Sequence, residues 1–230
     1  MERVRITQAA CQRLIVGLIA FAGTALLVLS CHKDTSGYTH TDDFASNTTA
    51  SYHSYCLSYG GGSATATISY DPTSQKAILR GDGGYTDVVM EPTDAPAIQP
   101  GEDFSFSYDV SVLSEFTGMI YLGDLQGYSN GTWLRFGLDT NGGVVLVYVT
   151  VNGTVRDICS SSTSATSGSL KVARTGSAYS FYLNGSQVWS GAIPELDGIT
   201  LNVGANARVS SGGSGYTAEI GVDNWNQVQE

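Results

Sequence analysis

The stretch LKVARTGSAYSFYLNGSQVWSG, residues 170–191, decides the fold class of this chain. Two strand-like runs, LKVART and AYSFYL, lead into Asn184-Gly185, and a third run, SQVWS, follows. An Asn-Gly pair between alternating apolar residues is the strongest short-range signal for a β-hairpin, because both turn positions need a positive φ. The stretch therefore predicts antiparallel strands joined by a tight turn.

The same turn signal occurs twice more in the chain, at Asn141-Gly142 and Asn152-Gly153. From residue 42 onward, short strand-like runs follow one another, and none shows the 3.6-residue apolar period of a helix. These runs include HSYCLSY, ATATISY, QKAILR, DVVM, DFSFSYDVS, GMIYLG, TWLRFGLD, VVLVYVTV, GTVRDIC, ITLNVG and AEIGVDNWNQV. About a dozen strands without helices between them predict an all-β fold, with antiparallel sheets in a sandwich or barrel, over a single domain at residues 42–230.

The composition limits the classes of partner. The chain has 230 residues, of which 28 are glycine and 13 tyrosine, and 14% are charged. Such a composition disfavours helices and allows one domain with a sizeable core. The formal net charge is −10 and no basic patch is present to meet phosphate groups, so we expect no nucleic-acid partner. Neutral partners such as sugars are compatible with this charge.

The N-terminus has the features of an export signal. Arg3, Arg5 and Arg13 flank the start of a run, LIVGLIAFAGTALLVLS at residues 14–30, that contains no charged residue. A basic region and an apolar region are typical of a secretory signal peptide, here residues 1–30. The alternative is an uncleaved signal anchor, because the apolar run nearly reaches the length of a membrane-spanning helix.

The end of this run resembles the lipobox of bacterial lipoproteins. Val28-Leu29-Ser30-Cys31 places a small residue directly before a cysteine, although leucine rather than valine is usual three positions before it. The resemblance implies that Cys31 is lipidated and becomes the mature N-terminus. Residues 31–41 would then tether the lipid to the domain, and the lipid anchor would hold the protein in the bacterial cell envelope, at the outer membrane.

Two cysteines remain for the domain once Cys11 leaves with the signal peptide and Cys31 carries lipid. Disulfides form and persist in exported proteins. We therefore expect a disulfide between Cys56 and Cys159. Two distant cysteines supply too few ligands for a metal site.

Several landmarks, taken in order, resemble the concanavalin A-like lectin/glucanase family. They are DDFA, DFSFSYDV, GTWLRFGLD, LKVARTGSAYSFYLNGSQVW and AEIGVDNWNQV. The resemblance covers most of residues 42–230 and implies a two-sheet antiparallel β-sandwich of the jelly-roll type. The family includes sugar-binding modules, glycosidases and adhesion domains, so the fold does not decide the activity.

Glucanases of this family carry carboxylates on one strand in a motif of the type Glu-x-Asp-x-(x)-Glu, and the chain lacks this motif. Glu195 and Asp197 have the spacing, but a proline before them and a glycine after them indicate a turn. Glu219 and Asp223 share a strand face about 13 Å apart. The sequence therefore predicts no catalytic residue, although carboxylates from different strands could still meet.

Alternation along the predicted strands separates core residues from surface residues. In AYSFYL, Phe181 lies on one face and Tyr182 on the other, and in TWLRFGLD, Trp133 and Arg135 lie opposite the apolar residues. A flat aromatic ring suits the apolar face of a sugar, and a neighbouring polar side chain can bond its hydroxyl groups. The expected ligand-binding residues on the outer face of one sheet are Trp133, Arg135, Tyr182, Tyr121 and Tyr148. The alternative is that these residues only pack.

Many domains of this family hold a structural calcium between the start and the end of the chain. The resemblance places such a site at Asp42 or Asp43 and at Asp223, whose carboxylate oxygens suit calcium. The alternative is that these residues are ordinary turn and strand-end aspartates.

The sequence thus predicts a cell-envelope lipoprotein that binds a glycan or surface polymer without cleaving it. Two alternatives stay open, a glycoside hydrolase with an unrecognised carboxylate pair and a structural or adhesive surface protein without a small ligand. Two carboxylates within about 10 Å in a groove would favour the hydrolase. An open aromatic strip without such a pair would favour binding, and a flat polar sheet would favour the structural role.

Overall fold

The structure is a computed structural model that describes residues 37–58, 64–83, 86–114, 118–124, 131–209 and 217–230. The predicted signal peptide and Cys31 lie outside these ranges. Within the described ranges, no helix has the length and hydropathy needed to cross a membrane.

Strands β1 to β15 make up almost all of the regular structure in the described residues. They are β1 Tyr38–Asp42, β2 Tyr52–Ser58, β3 Thr65–Asp71, β4 Lys76–Asp82, β5 Thr86–Pro92, β6 Phe104–Val112, β7 Gly118–Gly123, β8 Thr132–Asp139, β9 Val144–Val151, β10 Thr154–Ser162, β11 Ser167–Thr175, β12 Ala178–Leu183, β13 Ser186–Ala192, β14 Asn202–Val209 and β15 Thr217–Gln229. Two short 3₁₀ helices span Thr49–Ser51 and Pro194–Leu196.

The strands form two antiparallel sheets. The eight-stranded sheet has the order β13-β12-β11-β6-β15-β4-β3, and β1 pairs with β15 in addition. The seven-stranded sheet has the order β10-β9-β8-β7-β14-β5-β2. This arrangement confirms the predicted all-β, two-sheet antiparallel sandwich.

The core lies between the sheets and follows from the alternation of side chains. In β6, Phe104, Phe106 and Tyr108 are buried, whereas the serines between them are half-buried on the opposite face. The Tyr108 hydroxyl donates to the Met119 carbonyl at 2.6 Å, which satisfies a polar group inside the core. Trp225 of β15 packs edge-on against Phe106, with ring centroids 4.7 Å apart. Burial of these rings is a main stabilising term of the sandwich.

Two of the three predicted Asn-Gly turns have the expected backbone. Asn152-Gly153 has φ of 48° and 79°, and Asn184-Gly185 has φ of 51° and 77°. Asn141-Gly142 also joins two paired strands, but Gly143 takes the positive φ, 63°. The Asp139 carboxylate causes this difference, because it accepts hydrogen bonds from the Asn141 and Gly142 backbone N–H groups at 3.1 and 2.9 Å.

The ordered domain begins before residue 42, so the predicted end of the tether is wrong. β1 pairs along its whole length with β15, from Tyr38 opposite Gln229 to Asp42 opposite Trp225. The sequence YTHTD has no apolar alternation that would identify a strand. Main-chain pairing with β15 holds β1 in place, although the side chains of β1 do not indicate a strand.

The predicted disulfide between Cys56 and Cys159 is wrong. Cys56 lies in β2 and Cys159 in β10, which are the opposite edges of the seven-stranded sheet. Six strand spacings of about 4.8 Å separate them by roughly 29 Å, far beyond the 4.4–6.8 Å between Cα atoms that a disulfide allows. Both thiols are free, and burial raises the pKa of the Cys56 thiol.

Candidate functional site

The structure brings together four of the five predicted ligand-binding residues. Trp133 and Arg135 of β8, Tyr121 of β7 and Tyr148 of β9 share the outer face of the seven-stranded sheet. Arg135 lies directly between Tyr121 and Tyr148 in the strand register. Tyr182 belongs to β12 in the other sheet, so its predicted place beside Trp133 is wrong.

These four side chains do not form an open strip, and that part of the prediction is wrong too. Trp133 is 5% exposed and Arg135 is fully buried. Trp133 and Tyr121 pack with Val89 in a hydrophobic cluster separate from the main core. Glycine makes room for this layer, because a Cβ at Gly123 would lie 2.7 Å from the Tyr121 hydroxyl and 2.8 Å from the Trp133 Cβ.

We call this layer, together with the charged residues that the structure adds to it, the outer cluster. Its members are His53, Tyr55, Leu57, Asp87, Val89, Glu91, Tyr121, Trp133, Arg135, Tyr148, Asn206 and Arg208.

Asp87 of β5 is the electrostatic centre of the outer cluster. Its buried carboxylate pairs with the Arg135 guanidinium and accepts a hydrogen bond from Arg208 Nε at 2.9 Å. Arg135 is fully buried, whereas the Arg208 side chain is 20% exposed. Two guanidinium groups on one carboxylate leave a local positive charge that other groups must balance.

The Tyr148 ring lies close to both guanidinium groups. The Cζ atoms of Arg135 and Arg208 are each 5.9 Å from its centroid, and Arg135 Cζ is also 5.4 Å from the centroid of the Trp133 ring. Cation–π attraction at these distances fixes the rings and the guanidinium planes relative to each other.

A second ion pair lies toward the β2 edge of the same face. His53 Nε2 is 2.9 Å from Glu91 Oε1, and the His53 ring stacks on Tyr55 with centroids 5.8 Å apart. The His53 side chain is 46% exposed, whereas Glu91 is buried. The solvent-accessible rim of the outer cluster is therefore the edge strand β2, which carries the adjacent rings of His53 and Tyr55.

Burial sets the protonation behaviour of this edge. It raises the pKa of the Glu91 carboxyl, and the nearby His53 opposes the shift. Burial also raises the pKa of the Tyr55 and Tyr121 hydroxyls, and the adjacent Glu91 adds to both shifts. Buried carboxyls with a raised pKa are enriched at functional sites.

Some polar atoms of the outer cluster have no partner within the described residues. They include the Tyr148 hydroxyl and both polar atoms of the Asn206 side-chain amide. Buried polar groups are normally hydrogen-bonded, so groups of this kind are available to water or to a ligand.

The sequence reasoning missed Asp87, Glu91, His53 and Arg208. The predicted strand run, DVVM, ends before Glu91, although TDVVME places Asp87 and Glu91 on one face by simple alternation. Arg208 is brought next to Asp87 by the pairing of β14 with β5, which joins segments 121 residues apart. No local pattern predicts that contact.

Several other carboxylates in the described residues are already paired with arginine. Glu195, in a 3₁₀ helix as the predicted turn required, accepts two hydrogen bonds from Arg156 at 2.5 and 2.7 Å. On the eight-stranded sheet, Arg80 pairs with both Asp82 and Glu219. Pairing with Arg80 lowers the pKa of Asp82, which is the wrong direction for a general acid at neutral pH.

The residues of the predicted calcium site lie where β1 and β15 meet. The Asp42 carboxylate already accepts hydrogen bonds from the Phe44 N–H and from the Thr48 and Tyr52 hydroxyls. Asp43 accepts from the Ala45 N–H, and Asp223 from the Asn224 N–H. In the part of the chain that the structure describes, no group of three or more His, Cys, Asp or Glu side chains could hold a metal ion. A calcium site here stays a prediction.

Comparison of the fold with solved structures gives low sequence identities throughout. A β-glucanase from Bacillus licheniformis is 8% identical with a TM-score of 0.59, over 85% of this chain and 99% of the glucanase. A protein of unknown function with a galectin-like fold from Bacillus subtilis is 7% identical with a TM-score of 0.56, over 82% and 94% of the two chains. A sialidase is 14% identical with a TM-score of 0.51, over 82% of this chain and 18% of the sialidase.

These likenesses show the fold. The chain is a jelly-roll β-sandwich, consistent with the concanavalin A-like architecture that the sequence resembles. No protein-family model matches the sequence, and no curated protein matches it. The activity must therefore be argued from the residues of this chain.

Proposed function

We propose that the protein is a lipid-anchored cell-envelope protein that binds a glycan, without cleaving it, on the outer face of the seven-stranded sheet. The observation that carries the proposal is the outer cluster. Arg135, Asp87 and Arg208 are fixed by one another and by the Trp133 and Tyr148 rings, on a face turned away from the core. Preorganised planar polar groups beside aromatic rings match the hydroxyl groups and apolar faces of a sugar.

The ligand reaches this site from the β2 edge. His53, Tyr55 and Leu57 are not fully buried, and Arg208 is half-buried, whereas Asp87 and Arg135 are fully buried. A sugar ring would lie against the stacked His53 and Tyr55 rings, while Arg208 donates hydrogen bonds to its hydroxyls. Behind this rim, the buried partners Asp87 and Glu91 hold the contacting side chains in place.

Binding fits the carboxylate geometry better than hydrolysis does. Asp87 and Glu91 are the two carboxylates among the defined members of the outer cluster, and four residues of one strand separate their Cα atoms by about 13 Å. Retaining glycosidases need carboxyl groups about 5–5.5 Å apart and inverting ones about 6.5–9.5 Å. Asp87 is also paired with two guanidinium groups, which oppose its use as a nucleophile or base.

Membrane attachment is the second part of the proposal and rests on the sequence. The basic start, the uncharged run at residues 14–30 and Cys31 directly after it support lipidation of Cys31 and an outer-membrane location. A sandwich held at the cell surface by lipid would present its sheet faces to surrounding polysaccharide.

The test is a glycan-array screen of the purified protein, followed by titration of each glycan that binds. Arg208→Gln should weaken binding about tenfold, since it removes a hydrogen bond from a charged donor. Arg156→Gln is the matched control, because Arg156 also pairs with a carboxylate but lies outside the outer cluster on β10. Tyr55→Ala should weaken binding as well. The proposed site is contradicted if Arg208→Gln and Tyr55→Ala bind the glycan as tightly as Arg156→Gln and the wild type do. Release of shortened glycan would favour the hydrolase. Absence of binding to any glycan would favour the structural role.

A further inference from the structure

The outer face of the eight-stranded sheet, which points away from the core, carries a row of polar side chains. The strand register aligns one residue from each of five neighbouring strands, β12, β11, β6, β15 and β1. The aligned residues are Tyr182, Lys171, Ser107, Asn226 and Thr41. Each is exposed or half-buried. Four strand spacings of about 4.8 Å make this row about 19 Å long, which is the scale of an oligosaccharide of a few units.

Two depressions lie along this row and meet at its middle. The first, of about 340 Å³, is lined by Ser107, Ser169, Lys171, Tyr182 and Gly185. The second, of about 520 Å³, is lined by Thr41, Asp42, Asp43, Asn224, Trp225 and Asn226. Because Ser107 of the first depression is directly opposite Asn226 of the second, the two depressions adjoin where β6 pairs with β15, and together we call them the trough.

A β-bulge shapes the second half of the trough. The pairing of β15 with β6 shifts between Asp223 and Asn226, and Asn224 has a positive φ of 49°. The bulge turns the Asn224 side-chain amide toward β6, where it donates to Asp109 Oδ2 at 2.8 Å. Bulges often redirect side chains at binding sites.

The charges along the trough are distributed unevenly. Lys171 is at the β12 end, where its ammonium group lies 5.9 Å from the Tyr182 ring centroid and forms no ion pair with a described residue. Asp43 and Asp223 lie toward the β1 end, whereas Asp109 lies on the middle strand, β6, opposite Ser169 of the first depression. An acidic group on a ligand is therefore attracted to one end and repelled by the other, whereas hydroxyl groups can donate to the carboxylates.

We propose that this trough is a second saccharide site, separate from the outer cluster, for a largely neutral oligosaccharide that carries one acidic sugar. The acidic sugar binds at Lys171 against the wall formed by Tyr182, and neutral sugars extend over Ser107 and Asn226 toward Thr41. A polymer with an acid on every sugar binds more weakly, because its further carboxylates meet Asp109 and Asp223.

The test uses the full chain in a zwitterionic detergent and three tetrasaccharide probes, a xylose tetramer, the same tetramer bearing one glucuronic acid, and a galacturonic acid tetramer. Calorimetric titration should give the tightest binding for the probe with a single acid. Lys171→Gln should weaken that binding about tenfold and abolish the preference over the neutral xylose tetramer, as expected for loss of one charged hydrogen bond.

Lys76→Gln is the matched control for charge, because Lys76 lies on the same sheet but bonds Ser111 outside the row. Arg208→Gln controls for the other sheet and should leave this binding unchanged, so failure at one site is distinguishable from failure at the other. The proposal is overturned if the single-acid probe does not bind, if it binds no better than the neutral or the fully acidic tetramer, or if Lys171→Gln binds it like the wild type. Unchanged melting temperatures of the variants confirm that binding, not folding, has changed.

Discussion

Trp133 and Tyr182 lie on opposite sheets of the sandwich. Trp133 is in β8 of the seven-stranded sheet, and Tyr182 is in β12 of the eight-stranded sheet. Both side chains point away from the main core, and only Trp133 is buried on its own face. The molecule therefore has two different outer faces, one packed with rings and ion pairs and one open and polar.

The two aromatic residues should differ in their effect on stability. Trp133→Ala should lower the free energy of unfolding by about 3–5 kcal/mol, as should Phe181→Ala in the core, because each removes a buried ring. Tyr182→Ala should change it by less than about 1 kcal/mol, since surface changes are usually mild. Denaturant unfolding of the three variants measures these values. Equal effects of Trp133→Ala and Tyr182→Ala would show that the outer cluster is not packed as described.

Asp87 should be the most sensitive charged residue of the domain. Asp87→Asn leaves two guanidinium groups without their shared carboxylate, and breaking a buried pair costs about 3–5 kcal/mol of stability. Asp82→Asn is the control, because Asp82 also pairs with an arginine but is exposed, and exposed pairs contribute about 0–1 kcal/mol. Thermal unfolding of both variants tests the difference, and a loss for Asp82→Asn as large as that for Asp87→Asn would refute it.

Glu91 should make the protein less stable as the pH rises. Glu91 faces His53 and Tyr55 of β2 and Tyr121 of β7, and burial raises its pKa in the folded chain. The folded state then binds more protons than the unfolded state, so its contribution to stability falls as the pH rises from the ordinary glutamate value of about 4.3 through the raised pKa. Glu91→Gln removes this titration. Its melting temperature relative to the wild type should therefore increase across that window.

Glu195→Gln should change the pH dependence of stability in the opposite direction to Glu91→Gln. Pairing with Arg156 lowers the pKa of Glu195, so its stabilising contribution is present above the ordinary glutamate value and is lost as the pH falls through the lowered pKa. The wild type should therefore lose its advantage over Glu195→Gln on acidification. Parallel pH profiles for the two variants would contradict the assignment of Glu91.

Lipidation of Cys31 is a prediction from the sequence alone. Cys31→Ser should leave unprocessed precursor and abolish labelling by radioactive fatty acid, because the cysteine is the acceptor of the lipid. Electrophoresis of labelled cells expressing each form measures this. Labelling of the Cys31→Ser chain equal to that of the wild type would show that the lipid is attached elsewhere.

The fold class could be predicted from the sequence because the patterns that indicate strands and turns are local. The Asn-Gly turn at Asn184-Gly185 and the alternation in β6 and β12 predicted pairing and burial without knowledge of the topology. β1 was missed because a polar edge segment has no such alternation, and its stability comes from pairing with β15.

The candidate site could be predicted from the sequence only in part. Alternation assigns a residue to one face of its strand, but it does not show to which sheet the strand belongs. Tyr121, Trp133, Arg135 and Tyr148 were grouped correctly, since β7, β8 and β9 are neighbours in both sequence and space. Tyr182 was grouped with them wrongly. The contacts of Asp87 with Arg208, and the separation of Cys56 from Cys159, depend on the order of strands across the sheet, which no local pattern encodes.

The most direct test of the proposed glycan site is a map of the contact surface by nuclear magnetic resonance. A glycan found in the array screen would be titrated into the ¹⁵N-labelled protein while the backbone and arginine side-chain N–H signals are followed. We expect the largest shifts at His53, Tyr55, Leu57 and Arg208, with smaller shifts along β5 and β14. Shifts confined to the eight-stranded sheet, with the signals of β2 and Arg208 unchanged at saturation, would contradict glycan binding by the outer cluster.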